Sequence, residues 1–440
     1  MSAVSALYTL LLYLLAPVVL LRLLWRGLRA PGYWQRWPER LGSIRPAIGE
    51  RVIWLHAVSV GEVQAAEPLI RALLQKPDYS LLITTTTPTG SARISDLFGD
   101  EVEQLYAPYD LPGAVARFLD RIQPQLGIIM ETELWPNLFN ACRKRGIPLL
   151  LVNGRLSARS TVGYRRVPRL MAKTLAAVSA IAAQTPRDAK RFASLGADPG
   201  RITVTGNLKF EPAVPSELPG QARELRRQWG ESRPVWIAGS THEGEEELVL
   251  DAFRQVRRQL PDCLLVLVPR HPERFAGVDA LCRRRGYRTV LRSERSFCTA
   301  DTDIFVGNTM GELTLFYAAG DVAFVGGSLV DRGGHNLLEP AVAGIPLVTG
   351  PHVGNFQEIC GMLLRVGVCR QVESVAELAE SVSHWLSDDE ERQRAGRRGR
   401  ETVEKNRGAL GSVMAMIEQH LRTVPLNSFS PSRGEGQDEG

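Results

Sequence analysis

Several polar clusters in this 440-residue chain fall where an apolar run has just ended, and each holds groups able to do chemistry. Glu62 follows the small-residue turn Ser59-Val60-Gly61 and opens a helical pattern. A carboxylate at a helix start is stabilised by the helix dipole as a cap, or it takes a proton from an attacking hydroxyl, and position alone leaves both open. Glu131 and Glu133 flank Thr132 after another apolar run. Side chains two apart diverge in an extended segment, so one carboxylate is expected to face a ligand and the other to bind backbone or basic groups nearby. Lys209, in the run TGNLK, is either a surface lysine or a cation that neutralises charge shared between a donor and an acceptor. Arg270 and His271 follow the run 264–268 and could meet a phosphate or a base edge, while Met310-Gly311-Glu312 stands at a further helix start, where a capping role competes. The plain reading of His271, and equally of His56, His242, His335 and His352, is a histidine satisfied by its surroundings.

The most glycine-rich of these clusters is 326–340, GGSLVDRGGHNLLEP. The apolar run 321–325 ends in Gly326-Gly327, and after a short loop Gly333-Gly334 opens a helix expected to begin near Asn336. Glycine lets backbone approach a ligand, and the first N–H groups of a helix are unpaired donors at the positive end of its dipole, so an anion would sit well there. Glu339 could accept hydrogen bonds from vicinal hydroxyls, which makes the loop read as a place for a phosphate joined to a sugar. An ordinary strand–loop–helix corner is the alternative. Asp301-Thr302-Asp303 resembles a metal-holding aspartate pair, but it precedes its strand, 304–306, and so lies on the wrong edge of the sheet. No HExxH, Walker or G-x-G-x-x-G pattern is present.

The elements that must position these groups repeat one plan. Residues 52–56 (VIWLH) are a continuous apolar strand, 57–61 a small-residue loop, and 62–74 a helix with Val63, Leu69, Ile70 and Leu73 on its apolar side. Strands 81–85, 126–130, 148–152, 180–183 and 202–205 follow, and after the proline-rich stretch 211–220 the rhythm restarts at 234–238, 263–268, 304–306, 321–325 and 346–349. Continuous apolar strands belong to parallel sheets buried on both faces, whose ligands collect at the strands' carboxyl ends. The chain therefore predicts an α/β protein of two doubly wound, Rossmann-like domains facing a cleft, with the domains spanning 30–210 and 211–422. That layout suits a nucleotide-linked donor on one domain and an acceptor on the other.

Residues 1–21 carry no charge and Arg22, Arg26 and Arg29 follow at once, so 1–29 is expected to be a membrane anchor helix rather than a cleaved export signal, with everything after it on the cytoplasmic side. A buried helix of a soluble domain is the alternative. Trp25, Tyr33, Trp34 and Trp37 read as an interfacial belt, and the basic run Arg155, Arg159, Arg165, Arg166, Arg169 and Lys173 as a solvated helix face that could also grip lipid phosphates. A net charge of only +5 favours anionic substrates or a membrane surface over nucleic acid. The six cysteines lack metal or disulfide spacing and are expected to be free thiols in a reducing compartment. Residues 423–440, poor in apolar mass, are expected to form a disordered tail.

Taken together, HAVSVGE (56–62), METELWPN (130–137), VNGRLSAR (152–159), TGNLK (205–209), PRHP (269–272), MGEL (310–313) and the stretch 326–340 resemble the 3-deoxy-D-manno-octulosonic acid (Kdo) transferases of lipopolysaccharide and lipid A biosynthesis. The likeness runs from the N-terminal helix to about residue 420. It implies a GT-B fold and an inverting transfer of Kdo, without a metal or other cofactor, from CMP-β-Kdo to the 6′-hydroxyl of lipid IVA at the inner membrane. The number of Kdo residues added stays open. It further implies Glu62 as catalytic base, Glu131 and Lys209 as transition-state stabilisers, and a CMP site of Pro269, Arg270, Met310, Gly311, Glu312, Asn336, Leu337, Leu338 and Glu339. Leu337 stands where proline is common in the family. The alternatives weighed are a nucleotide-sugar epimerase of similar fold and a non-catalytic envelope-assembly partner.

Overall fold

The computed structural model describes residues 3–29, 31–44, 49, 51–211 and 217–422, so the expected tail 423–440 and the linker residues 212–216 lie outside the described residues. The chain divides into two units, Met1–Glu211 with Arg407–Gly440, and Pro212–Asn406. In the first unit β1 (Val52–His56), β2 (Ser80–Thr85), β3 (Glu103–Tyr106), β4 (Leu126–Met130), β5 (Leu149–Gly154), β6 (Ala180–Ala183) and β7 (Ile202–Val204) form one sheet in the order β3-β2-β1-β4-β5-β6-β7. Every residue of β1 and β4 is buried, as expected of strands covered on both faces. The two faces carry separate apolar clusters, one around Trp54, Phe118 and Phe139, the other around Leu55, Leu69 and Ile83.

The second unit repeats the design with β8 (Val235–Thr241), β9 (Leu264–Pro269), β10 (Thr289–Leu291), β11 (Ile304–Val306), β12 (Val322–Val325), β13 (Leu347–Thr349) and β14 (Cys369–Gln371), in the order β10-β11-β9-β8-β12-β13-β14. The described strand pairs of both sheets are parallel. The short edge strands β3, β10 and β14 have no counterpart among the expected strands, because each is three or four residues long and partly polar. In each sheet the strand order reverses once, beside β1 and β4 in the first and beside β8 and β12 in the second. Loops that leave such neighbours in opposite directions open a crevice at the carboxyl edge, where ligands of this architecture bind.

Two boundaries differ from expectation. The helix Leu218–Trp229 begins inside the stretch expected to be linker, with Pro219 in its first turn, where a missing N–H costs nothing. The last helix, Ala409–Arg422, belongs to the first unit rather than to a donor domain reaching residue 422. Its Ala409, Val413 and Ile417 enter the core around Leu69, and Lys76 pairs with Glu418 at 2.7 Å. Helical periodicity shows that this helix has an apolar stripe; it does not show which sheet the stripe covers.

Candidate active site

In the first unit Ser59 caps the helix Val60–Leu74, its Oγ accepting from the Glu62 N–H at 3.4 Å. Glu62 reaches back, Oε2 accepting from the Val58 N–H at 2.7 Å and Oε1 from the Ser59 hydroxyl at 3.3 Å. The capping arrangement is thus realised and holds the carboxylate in one place. It does not neutralise the group. Burial, followed by the charges of Glu133 and Glu131, pushes the Glu62 carboxyl up to about 8 against the opposing pull of Val58 and Ser59. A carboxyl poised there is suited to proton transfer near neutral pH.

Glu131 and Glu133 follow β4, the neighbour of β1 at the reversal. The expected extended segment is instead a turn, with Glu131 in the left-handed region at φ 52°. The charges of both carboxylates add to the rise of the Glu62 carboxyl. Glu133 accepts from Trp135 Nε1 at 2.9 Å, and Glu131 lies 4.0 Å from Lys209 Nζ. A non-glycine residue held at positive φ costs of order 1 kcal/mol or more and persists where surrounding structure enforces it, most often at functional sites.

Lys209 rides on the short turn Leu208–Phe210. Asn207 Oδ1 accepts from the Lys209 N–H at 3.0 Å, and the buried Asn153, at the end of β5, accepts from the Leu208 N–H at 3.1 Å. Asn153 is itself at φ 56°, a conformation asparagine tolerates better than most residues. Sequence reasoning missed its role; its only signal was an Asn-Gly pair at a strand end. His56 is wholly buried, with Nδ1 2.9 Å from Thr84 Oγ1, and is held down to about 3 by that burial; its Nε2 has no hydrogen-bond partner among the described residues, so the plain reading of a satisfied histidine holds for one ring nitrogen only.

The second unit gathers the nucleotide candidates on one sheet edge. Pro269 closes β9, and the Arg270 N–H donates to the Thr241 carbonyl at 2.9 Å. Beyond β11, Met310 and Gly311 are exposed, with Gly311 at φ 81°. Glu312 is gripped by Arg292 at 2.7 Å, a hydrogen bond that holds its carboxyl below the usual range. After β12, Asn336 spends Oδ1 on the Leu338 N–H and Nδ2 on Glu339 Oε1, both at 3.1 Å. The helix begins at Leu338 rather than near Asn336, so the first of its amides expected to be free is already capped. Leu337 and Leu338 bury their side chains completely.

The amides of Gly327, Ser328 and Leu329 donate to one internal carboxylate, Glu245, at 2.7 to 3.0 Å, and the His242 N–H joins them at 3.2 Å. The amides behind the first glycine pair are therefore taken up by the protein itself, whereas the sequence places the expected anion further on, at the helix start near Asn336. Glu245, fully buried, escaped sequence reasoning because its partners lie more than 80 residues away. Asp303, just before β11, pairs with Arg257 at 2.6 Å and caps the Arg288 N–H at 2.8 Å. The six cysteines are free thiols.

Two doubly wound parallel sheets, each with one reversal of strand order and with polar residues at the carboxyl ends of its strands, give the chain a GT-B architecture. Residues 35–212 match the family described as 3-Deoxy-D-manno-octulosonic-acid transferase (kdotransferase), and residues 241–402 match Glycosyl transferases group 1. The chain is 42% identical to the 3-deoxy-D-manno-octulosonic acid transferase of Haemophilus influenzae, over 94% of this chain and 98% of that protein. It is 36% identical to the Bordetella pertussis protein of the same name, over 94% and 99%. Among solved structures, a UDP-GlcNAc 2-epimerase from Neisseria meningitidis superposes with a TM-score of 0.51 at 12% identity, over 84% of this chain and 99% of that one, a likeness of fold alone. The chain belongs to the 3-deoxy-D-manno-octulosonic acid transferase family and is a glycosyltransferase that transfers Kdo.

Proposed function

We propose that the enzyme moves Kdo from CMP-β-Kdo to the 6′-hydroxyl of lipid IVA with inversion at the anomeric carbon, on the cytoplasmic face of the inner membrane. Glu62 accepts the hydroxyl proton, the freed oxygen attacks the anomeric carbon, and the bond to CMP breaks, its electron pair leaving on the CMP phosphate. The observation that carries this reading is the state of Glu62: fixed by Val58 and Ser59, 7% exposed, and raised to about 8 beside a second carboxylate that is paired with Lys209. Only its deprotonated form is competent, so the reaction gains rate as pH rises.

Glu131 and Lys209 stabilise the charge shared by the entering oxygen and the leaving group. Pro269, Arg270, Met310, Gly311, Glu312, Asn336, Leu337, Leu338 and Glu339 hold CMP-Kdo. The leaving group is a monophosphate, whose developing charge an arginine and main-chain N–H donors can meet without a divalent metal. A chelator is therefore expected to leave the rate unchanged. The deciding experiment is Glu62→Ala: transfer to lipid IVA, followed by mass spectrometry, should be lost while CMP-Kdo binding persists. Unchanged turnover would remove Glu62 from the role of base. The same assay on the parent enzyme counts the Kdo residues added.

A further inference from the structure

The helix Ala3–Arg29 contains a segment, Val4–Leu23, of mean hydropathy 2.3, long enough to cross a bilayer. Its length does not decide whether it does so; its ties to the first unit do. Tyr8 donates its hydroxyl proton to Asp110 at 2.9 Å, Thr9 Oγ1 donates to Asn137 Oδ1 at 3.1 Å, and Lys173 Nζ donates to Ser5 Oγ at 3.1 Å. Asp110 is no stray surface group. It accepts from the Asn137 and Leu138 N–H groups at 3.1 and 2.7 Å and so organises the start of the helix Pro136–Lys144, while Val4 and Tyr8 pack on the core around Leu138.

The chain just beyond the helix is tied to the same unit. Arg40 donates to the Thr86 carbonyl at 3.0 Å and stacks on Tyr106, and its own carbonyl accepts from the Tyr109 N–H at 2.8 Å. Tyr8 and Arg22 are separated by about 21 Å along a helix. A spanning helix would carry Ser5, Tyr8 and Thr9 to the far leaflet, beyond reach of Asp110 and Asn137, and leave Asp110 without its tyrosine. A helix fixed by its N-terminal residues on a water-facing domain, to which the chain beyond its C-terminus also returns, lies along that domain instead.

The side turned away from the domain is apolar. Leu7, Leu11, Leu14, Val18, Leu21 and Leu28 recur every three or four residues, or at double that interval, and are 48 to 71% exposed. Beside the Lys173 joint, the exposed Arg165, Arg166 and Arg169 surround the exposed Val167. An apolar stripe next to a basic surface matches the chemistry of one leaflet carrying anionic headgroups. We infer that this helix lies in the plane of the leaflet rather than across it: its outer stripe enters the acyl layer, the arginines meet lipid phosphates, and its N-terminus stays on the side of the catalytic domains.

The inference rests on the membrane reading above, and three measurements separate them. The full-length enzyme should float with vesicles of phosphatidylethanolamine and phosphatidylglycerol, and Leu14→Glu/Val18→Glu should lose that binding; a parent enzyme that does not float overturns the membrane reading itself. In spheroplasts, a cysteine placed by Ala6→Cys in a Cys298→Ser background should react with a membrane-impermeant maleimide only after lysis. Labelling from outside would show a spanning helix and overturn the in-plane arrangement while leaving membrane binding intact. In native membranes the pair Thr9→Cys/Asn137→Cys should cross-link on mild oxidation, whereas a spanning helix would give no cross-link.

Discussion

Glu62 and Glu245 occupy corresponding places in the two units. Each lies in the first turn of the helix that follows the first strand of its sheet, beside the reversal of strand order. Their surroundings separate them. Glu245 is fully buried and takes four backbone N–H groups, three of them from the glycine corner; Glu62 takes one backbone N–H and one hydroxyl and faces two further carboxylates. The same carboxylate at the same topological position is a structural pin where its hydrogen bonds are complete and a candidate base where they are not. Burial raises both carboxyls, and it is the number of hydrogen bonds opposing it, rather than position in the fold, that distinguishes the two.

The sharpest way to break this comparison is to neutralise each carboxylate in turn. Glu62→Gln should lower kcat by ~10²–10⁴-fold, the usual worth of a positioned base, without loss of folding. Because its raised carboxyl makes the folded state keep a proton that the unfolded chain has released, Glu62 lowers stability as pH climbs from the ordinary carboxylate range towards about 8. Glu62→Gln should therefore melt higher than the parent at pH 8, and by less at pH 5, in calorimetry.

Lys209→Ala should cost about 10²-fold in kcat, with little change in the KM for CMP-Kdo, if it acts on the transition state. Glu245→Ala should do the opposite. It strands several buried amides, costs about 3 kcal/mol or more in denaturant unfolding, and raises the KM for donor well before it touches kcat.

The pH profile gives a smaller, graded effect. The parent's kcat/KM should rise about tenfold per unit below the Glu62 value and level off near 8, and the residual rate of Glu62→Gln should lack that limb. Smallest of all, Asn153→Gly, which keeps the left-handed backbone but removes the acceptor for the Leu208 N–H, should lower kcat by ~10-fold through looser placement of Lys209. In a Lys209→Ala background the same substitution should change nothing, which a stopped assay of the double variant reads directly.

Much of this was legible in the chain. Continuous apolar runs such as VIWLH and LGIIM fix buried parallel strands, and the polar residues behind them, Glu62, Glu131 and Arg270, fall at the ligand edge because a strand's end is set by local pattern. What was not legible depends on distance along the chain. Asn153 reaches a turn 55 residues on, Glu245 reaches amides 82 to 84 residues on, and Ala409–Arg422 returns to a sheet begun some 350 residues earlier.

The N-terminal helix shows the division most plainly. The sequence by itself determined that residues 1–21 would be an apolar helical segment with Arg22, Arg26 and Arg29 behind it, because composition and period are local properties. Only the tertiary structure decided that Tyr8 meets Asp110 and that Glu62 stands in the field of Glu131 and Glu133. Hydrogen bonds and charge–charge interactions act over a few ångströms of space, and which residues share that space is settled by how the sheets and helices pack.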